Sequence, residues 1–211
     1  MAKFLYILVC FSVVSNYATA TNLEVVNGKI KITVGTTSRC GDTIRFITQE
    51  LAPTYQAYKQ FLTLEFVPWG RTTYASDGTM TCQFGPTDCF ANRVHRCALN
   101  MLRGDQDAQM SYMNCEFTSP FPATTGSFSC GQDIGLNLRE LEDCVYITGV
   151  HLDQAAQEAA REPMRIINFV PSIHFNDVID RNLHNQGFRG LRSLVCSALA
   201  NDQSTGVTNC V

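Results

Sequence analysis

The sequence predicts an α/β chain: a βαβ half and a ββα half, interrupted by a cysteine-rich, largely helical insertion. Three observations carry this. Apolar alternation and helical periodicity mark both ends of the chain, about 27–69 and 164–200. The stretch of about 70–163 between them holds six cysteines and little β-rich sequence. The 211 residues are 45% hydrophobic and 17% charged, which suits one globular domain carrying an insertion.

Lys29 to Gly35 alternates polar and apolar residues, with Ile30, Ile32 and Val34 on one face, and reads as a strand. Thr36 to Arg39 is a polar turn. From about Thr43 to Phe61, Ile44, Ile47, Leu51, Tyr55 and Tyr58 recur at helical spacing, with a kink expected at Pro53. Leu62 to Val67 is a second strand, stopped by Pro68 and Gly70. A strand, a helix and a strand at this spacing form a parallel βαβ unit. The insertion shows a short β pair around Tyr74 and Thr79 to Phe84, and helical patches at Asp88 to Leu102 and Leu152 to Arg161. Strand character returns at Met164 to Val170 and continues to Ile173 and Phe175. Asn176-Asp177 marks a turn before a short strand at Val178 and Ile179, and Phe188 to Ala200 repeats apolar residues at helical spacing.

Lys3, the apolar run Phe4 to Val14 and the small residues Ala18-Thr19-Ala20 read as a cleaved signal peptide over residues 1–20. No later run approaches the roughly 20 apolar residues of a transmembrane helix. The formal net charge of -3 leaves no basic stripe for phosphates, so nucleic acid is not the expected partner. Ten cysteines suit an oxidising compartment, and removal of Cys10 with the leader makes nine, which forces one thiol to stay free or to pair with another molecule.

Cys40 follows a strand and opens a helix, where unpaired N–H groups and the positive dipole end favour thiolate. Thiolate is the nucleophile of disulfide exchange. The usual second cysteine, three residues on, is replaced by Thr43. Its hydroxyl can hydrogen-bond a neighbouring thiolate but cannot attack a mixed disulfide, so the intramolecular advantage of a resolving sulfur, roughly 10⁵ M or more in effective molarity, is lost. Asp42 opposes thiolate formation, with Arg39 as the expected compensating charge. Membership of Cys40 in an ordinary disulfide is the alternative.

A second constellation runs from Cys82 through Gln83, Phe84, Gly85, Asp88, Cys89, Asn92 and His95 to Cys97. Its spacings are not those of a zinc ribbon; a Cys/His site through His95 and Cys97 is the minor alternative to disulfides. The run resembles the signature of the gamma-interferon-inducible lysosomal thiol reductase (GILT) family, Cys-Gln-His-Gly-x-x-Glu-Cys-x-x-Asn-x-x-x-x-Cys. All three cysteines, Gln83, Gly85 and Asn92 match; Phe84 stands in place of His and Asp88 in place of Glu. Val67-Pro68-Trp69-Gly70 is similar to the family's Pro-x-Gly turn, and Phe169-Val170-Pro171-Ser172 to the segment that sets a cis-proline opposite the redox cysteine.

The resemblance implies a thioredoxin-like core at about 27–69 and 164–200, an insertion at about 70–163, a disulfide-tethered tail at 201–211, and a single domain over 21–211. It makes Cys40, Thr43 and Pro171 the site residues. It suggests Cys130 with Cys144 and Cys196 with Cys210, leaving Cys82, Cys89, Cys97 and Cys115 for two bonds of unspecified connectivity. It implies no cofactor and no metal. The family's site is Cys-x-x-Cys, so the expectation is a secreted protein with a one-cysteine, degenerate redox site. Such a protein has little or no reductase turnover and binds another protein or a cell surface. The alternative is a monothiol-disulfide oxidoreductase acting on disulfide-bonded protein through Cys40, with an external thiol as resolver. A monomer is expected, with a Cys40-linked dimer as the variant. The lysosome is the family-based alternative to secretion, although the chain has no Asn-x-Ser/Thr sequon. The histidines His95, His151, His174 and His184 read as surface or packing residues.

Overall fold

The computed structural model describes residues 22–210; the expected leader, with Lys3 and Cys10, lies outside the described residues. Strand β1 (Ile30–Thr36) leads into one long helical stretch: α1 (Gly41–Arg45), a π-helical segment (Phe46–Leu51), α2 (Ala52–Tyr58) and a 3₁₀ turn (Lys59–Phe61). Pro53, which lacks an N–H, enters at the start of α2. The widened segment ahead of it absorbs the ring, with Ala52 N–H donating five residues back to Ile47.

Next come β2 (Leu62–Pro68) and a small hairpin, β3 (Thr73–Tyr74) and β4 (Met80–Thr81). The insertion then supplies α3 (Pro86–Met101), α4 (Gln106–Glu116), α5 (Ser129–Asp133), α6 (Leu138–Asp143), a second π segment (Cys144–Thr148) and α7 (Val150–Ile166). The chain closes with β5 (Ser172–Phe175) and α8 (Arg181–Asn201), the latter opened by the Asp180 carboxylate accepting from Leu183 N–H.

The sheet has the order β2-β1-β5. Strand β1 runs parallel to β2, with Ile32 opposite Leu64, and antiparallel to β5, with Gly35 opposite Ser172. Helix α8 packs on β5 and the first π segment, while α3 and α7 pack on β2. Covered on both sides, β1 buries Thr33 and Thr36 as well as Ile30, Ile32 and Val34. The α/β class is as expected from the sequence. Between α3 and α7, Asp153 is buried against Arg93 and Arg96, with Arg96 Nη2 2.6 Å away. Arg96 also donates to the Pro68 carbonyl and lies over the Trp69 ring at 5.3 Å, which ties the insertion to the end of β2.

Three expectations are corrected. Met164 to Val170 is not strand: Met164 to Ile166 is the last turn of α7, and residues 167–170 are the loop leading to β5. Burial at Ala156, Ala160 and Pro163 follows helical spacing, and packing on Val67 and Trp69 overrides the β preference of the Ile166-Ile167 run. The strand at Val178–Ile179 is a single bridge from Val178 to Phe175, because Asn176 and Asp177 both take positive φ and reverse the chain within two residues. Cys130 does not pair with Cys144: Cys97 bonds Cys144, Cys115 bonds Cys130, and Cys82 bonds Cys89. Packing decides the partners, since α3 lies against the second π segment and α4 against α5, bringing each pair to a Cα separation of 5.8 Å. Cys196 with Cys210 is present, which ties the tail to α8.

Candidate functional site

Cys40 ends the loop after β1 in extended conformation (φ −82°, ψ 118°), and its carbonyl accepts from Ile44 N–H at 3.0 Å to open α1. It is the free cysteine among the described residues. Its Sγ donates to the Val170 carbonyl at 3.4 Å, and the Val170–Pro171 peptide is cis. Cys40 and Pro171, 131 positions apart in sequence, are thus brought together by the antiparallel pairing of β1 with β5. Cys40 is only 8% exposed, which limits access to its sulfur.

Thr43 is fully buried in the first helical turn, and its Oγ1 has no hydrogen-bond partner. The expected bond to the Cys40 sulfur is therefore not made. Nor does Arg39 compensate Asp42: Arg39 Nη1 donates to Thr87 Oγ1 at 3.2 Å and to the Phe84 carbonyl, while Asp42 pairs with Arg45 at 3.7 Å one turn on. That pair is exposed on both sides and contributes little.

The loop carrying Cys40 is held by α3. Asp88, in the first turn of α3 and fully buried, accepts from Thr37 Oγ1 at 2.9 Å and Ser38 Oγ at 2.6 Å, and also from Phe84 N–H and Asn92 Nδ2. Asn92 completes the lattice, its Oδ1 accepting from Ser38 N–H at 2.9 Å and its Nδ2 donating to Thr37 Oγ1 at 2.9 Å. Two glycines shape this region, one by its backbone conformation and one by close approach. Gly85 (φ +86°, ψ −167°) turns the chain into α3 in a region open only to glycine. At Gly70 (φ +56°) a Cβ would lie 2.7 Å from the Cβ of Thr37.

The opposite wall is the segment leading into Pro171. Arg71 Nη1 and Nη2 donate to the Oδ1 and carbonyl of Asn168, each at 2.7 Å, fixing that segment to the turn after β2. Behind it Phe169, His184 and Phe188 form an aromatic cluster with ring centroids 5.1 to 6.2 Å apart. His184 Nδ1 accepts from Ile173 N–H at 3.3 Å, and burial, with Arg181 nearby, pushes its pKa down to about 4. The neutral ring therefore carries its proton on Nε2. His174 is also pushed down by burial, His95 is buried beside Glu116, and His151 is exposed. The Cys/His metal alternative falls because the Cys97 sulfur is bonded to Cys144.

Of the residues expected from the sequence, Cys40 and Pro171 lie together and Thr43 sits on the first turn after Cys40; the contacts of Thr37, Ser38, Arg71 and Asn168 were not anticipated. Asp88 and Asn92 were visible only as motif positions.

A family description for gamma interferon inducible lysosomal thiol reductase (GILT) matches residues 31–133, a span containing Cys40, Thr43 and the whole bracing lattice. Among curated relatives, the gamma-interferon-inducible lysosomal thiol reductase-like protein of Anopheles gambiae is 26% identical over 188 residues, 82% of this chain and 78% of the relative. GILT-like protein 1 of Drosophila melanogaster is 24% identical over 192 residues, 83% and 77% of the two chains. The gamma-interferon-responsive lysosomal thiol protein of Arabidopsis thaliana is 29% identical over 119 residues, 56% and 48%. By signature, matched span and relatives alike, the chain belongs to the GILT family of thiol reductases.

Proposed function

We propose that the protein is a secreted, one-cysteine GILT protein with a thioredoxin-like core, which engages another protein and completes little or no reductase turnover unaided. The observation that carries this reading is the asymmetry at the site: a free Cys40 at a helix start, 3.4 Å from the carbonyl before cis-Pro171, with an unbonded Thr43 where a resolver would stand. Cys40 thiolate can attack a partner disulfide, forming a mixed disulfide and expelling the partner's second sulfur as thiolate. The Thr43 hydroxyl cannot release that intermediate, and the low exposure of Cys40 slows its formation. Secretion rests on the N-terminal leader, with the lysosome as the family-based alternative.

A second reading, a monothiol-disulfide oxidoreductase, is favoured by the unpaired state of Cys40 among eight paired cysteines. An external thiol would then attack the mixed disulfide and regenerate Cys40. Insulin-disulfide reduction from acidic to neutral pH with a thiol donor separates the two. The expectation is no multiple turnover by the wild type or Cys40→Ser, and a gain of about tenfold or more in Thr43→Cys. Multiple turnover by the wild type that Cys40→Ser abolishes would establish the second reading instead.

A further inference from the structure

Three of the four most exposed large apolar side chains of the described residues lie at the junction of the second π segment with α7, the fourth being Val178 on the turn after β5. Tyr146 is 63% exposed, Ile147 70% and Val150 54%. Half-buried Phe90 extends this face, its ring 5.9 Å from Tyr146 and 6.4 Å from Phe128. The face is rigid: Cys144 opens the π segment and is bonded to Cys97 of α3. Scattered exposed apolar residues need no explanation, but a contiguous, pinned group of them marks an interaction site.

Its rim is acidic. Glu142 and Asp143 stand four residues before Tyr146 and Ile147, and Glu140 lies on the preceding turn; all three are exposed, and none is in an ion pair among the described residues. Arg139 is the cation of that segment. A second copy of the chain would bring these carboxylates against their equals, and an anionic membrane would be repelled. We infer that this face docks a cationic amphipathic segment of a partner protein, whose apolar side covers Tyr146, Ile147 and Val150 while its Lys or Arg residues meet Glu140, Glu142 and Asp143. The inference goes beyond the Cys40 reading and does not depend on it.

The test uses the full mature chain carrying Cys40→Ser, so that no covalent capture contributes, and a fluorescent Leu/Lys amphipathic peptide followed by anisotropy. Binding is expected to weaken about tenfold in Ile147→Ser and in the double variant Glu142→Lys, Asp143→Lys. The Leu/Glu counterpart should not bind, and Glu24→Lys, an exposed charge change on the sheet side, should leave binding within about twofold. Ile147 is exposed, so its replacement leaves the fold intact. Undiminished binding in Ile147→Ser, equal loss in Glu24→Lys, binding of the Leu/Glu peptide, or an Ile147-dependent dimer or association with anionic vesicles would each overturn the inference.

Discussion

Replacing Asp88 tests whether the insertion positions Cys40. The carboxylate is fully buried, has no cationic partner, and accepts from two hydroxyls, one backbone N–H and one side-chain amide at 2.6 to 3.2 Å. Hydrogen bonds to a charged group contribute about 1.5–3 kcal/mol each but are not additive, and an unpaired buried donor costs about 1–3 kcal/mol. Asp88→Ala strands Thr37, Ser38 and the Phe84 N–H together, so a loss of about 3–5 kcal/mol is expected in urea unfolding. Asp88→Asn keeps the shape; the hydroxyls can rotate to accept from its amide, and the loss should be nearer 1–2 kcal/mol. The lattice ends two residues before Cys40, so the same substitution should free the sulfur. If labelling of Cys40 by an aromatic disulfide proceeds through local opening, a cost of about 3 kcal/mol removed from that opening raises the rate on the order of a hundredfold. Stability within about 1 kcal/mol of the wild type, or an unchanged labelling rate in a destabilised Asp88→Ala, would refute the reasoning.

Other outcomes follow from the same geometry. Cys97 and Cys144 close a loop of 47 residues, against 7 for Cys82 and Cys89. Replacing each pair by alanine should cost about 4 and about 2 kcal/mol respectively in non-reducing denaturation, and the reverse order would contradict the pairing. His184 has a folded-state pKa of about 4 against about 6.5 unfolded, so the unfolded chain binds the proton first. Stability is therefore full above about pH 6.5 and is lost as pH falls towards 4, by at most about 3 kcal/mol. His184→Gln should flatten that acid limb, and unfolding midpoints measured across pH would expose an unchanged slope.

What the sequence made legible follows from which interactions are local. Strand β1, the helix after Cys40 and β2 were readable because alternation and helical spacing report burial directly, as at Ile30, Ile32 and Val34. The last turn of α7 was not, since Met164 to Ile166 has strand-like composition and only contact with Val67 and Trp69 makes it helical. Disulfide partners depend on how α3, α4, α5 and the second π segment pack, which spacing does not encode. Cys40 was legible through parity and the signature; the carbonyl of Val170 beside it needed the sheet. The acidic-rimmed apolar face was invisible for the same reason: Tyr146, Ile147 and Val150 are ordinary residues until exposure shows that no other described residue covers them.

The division of labour within the signature bears on what family membership implies. Asp88 and Asn92 act on Thr37 and Ser38, Gly85 turns the chain into α3, and Cys82, Cys89 and Cys97 are consumed in structural bonds. None of these residues hydrogen-bonds the Cys40 sulfur, which donates to the Val170 carbonyl. Their removal would cost several kcal/mol against a total stability on the order of 5–15 kcal/mol, so folding alone requires them whether or not a disulfide is ever reduced. On the proposed reading, turnover hinges instead on Thr43, which is buried and whose hydroxyl has no hydrogen-bond partner. On that reading the chain keeps this brace while lacking the second sulfur, and the brace supports a positioned Cys40 rather than a catalytic cycle.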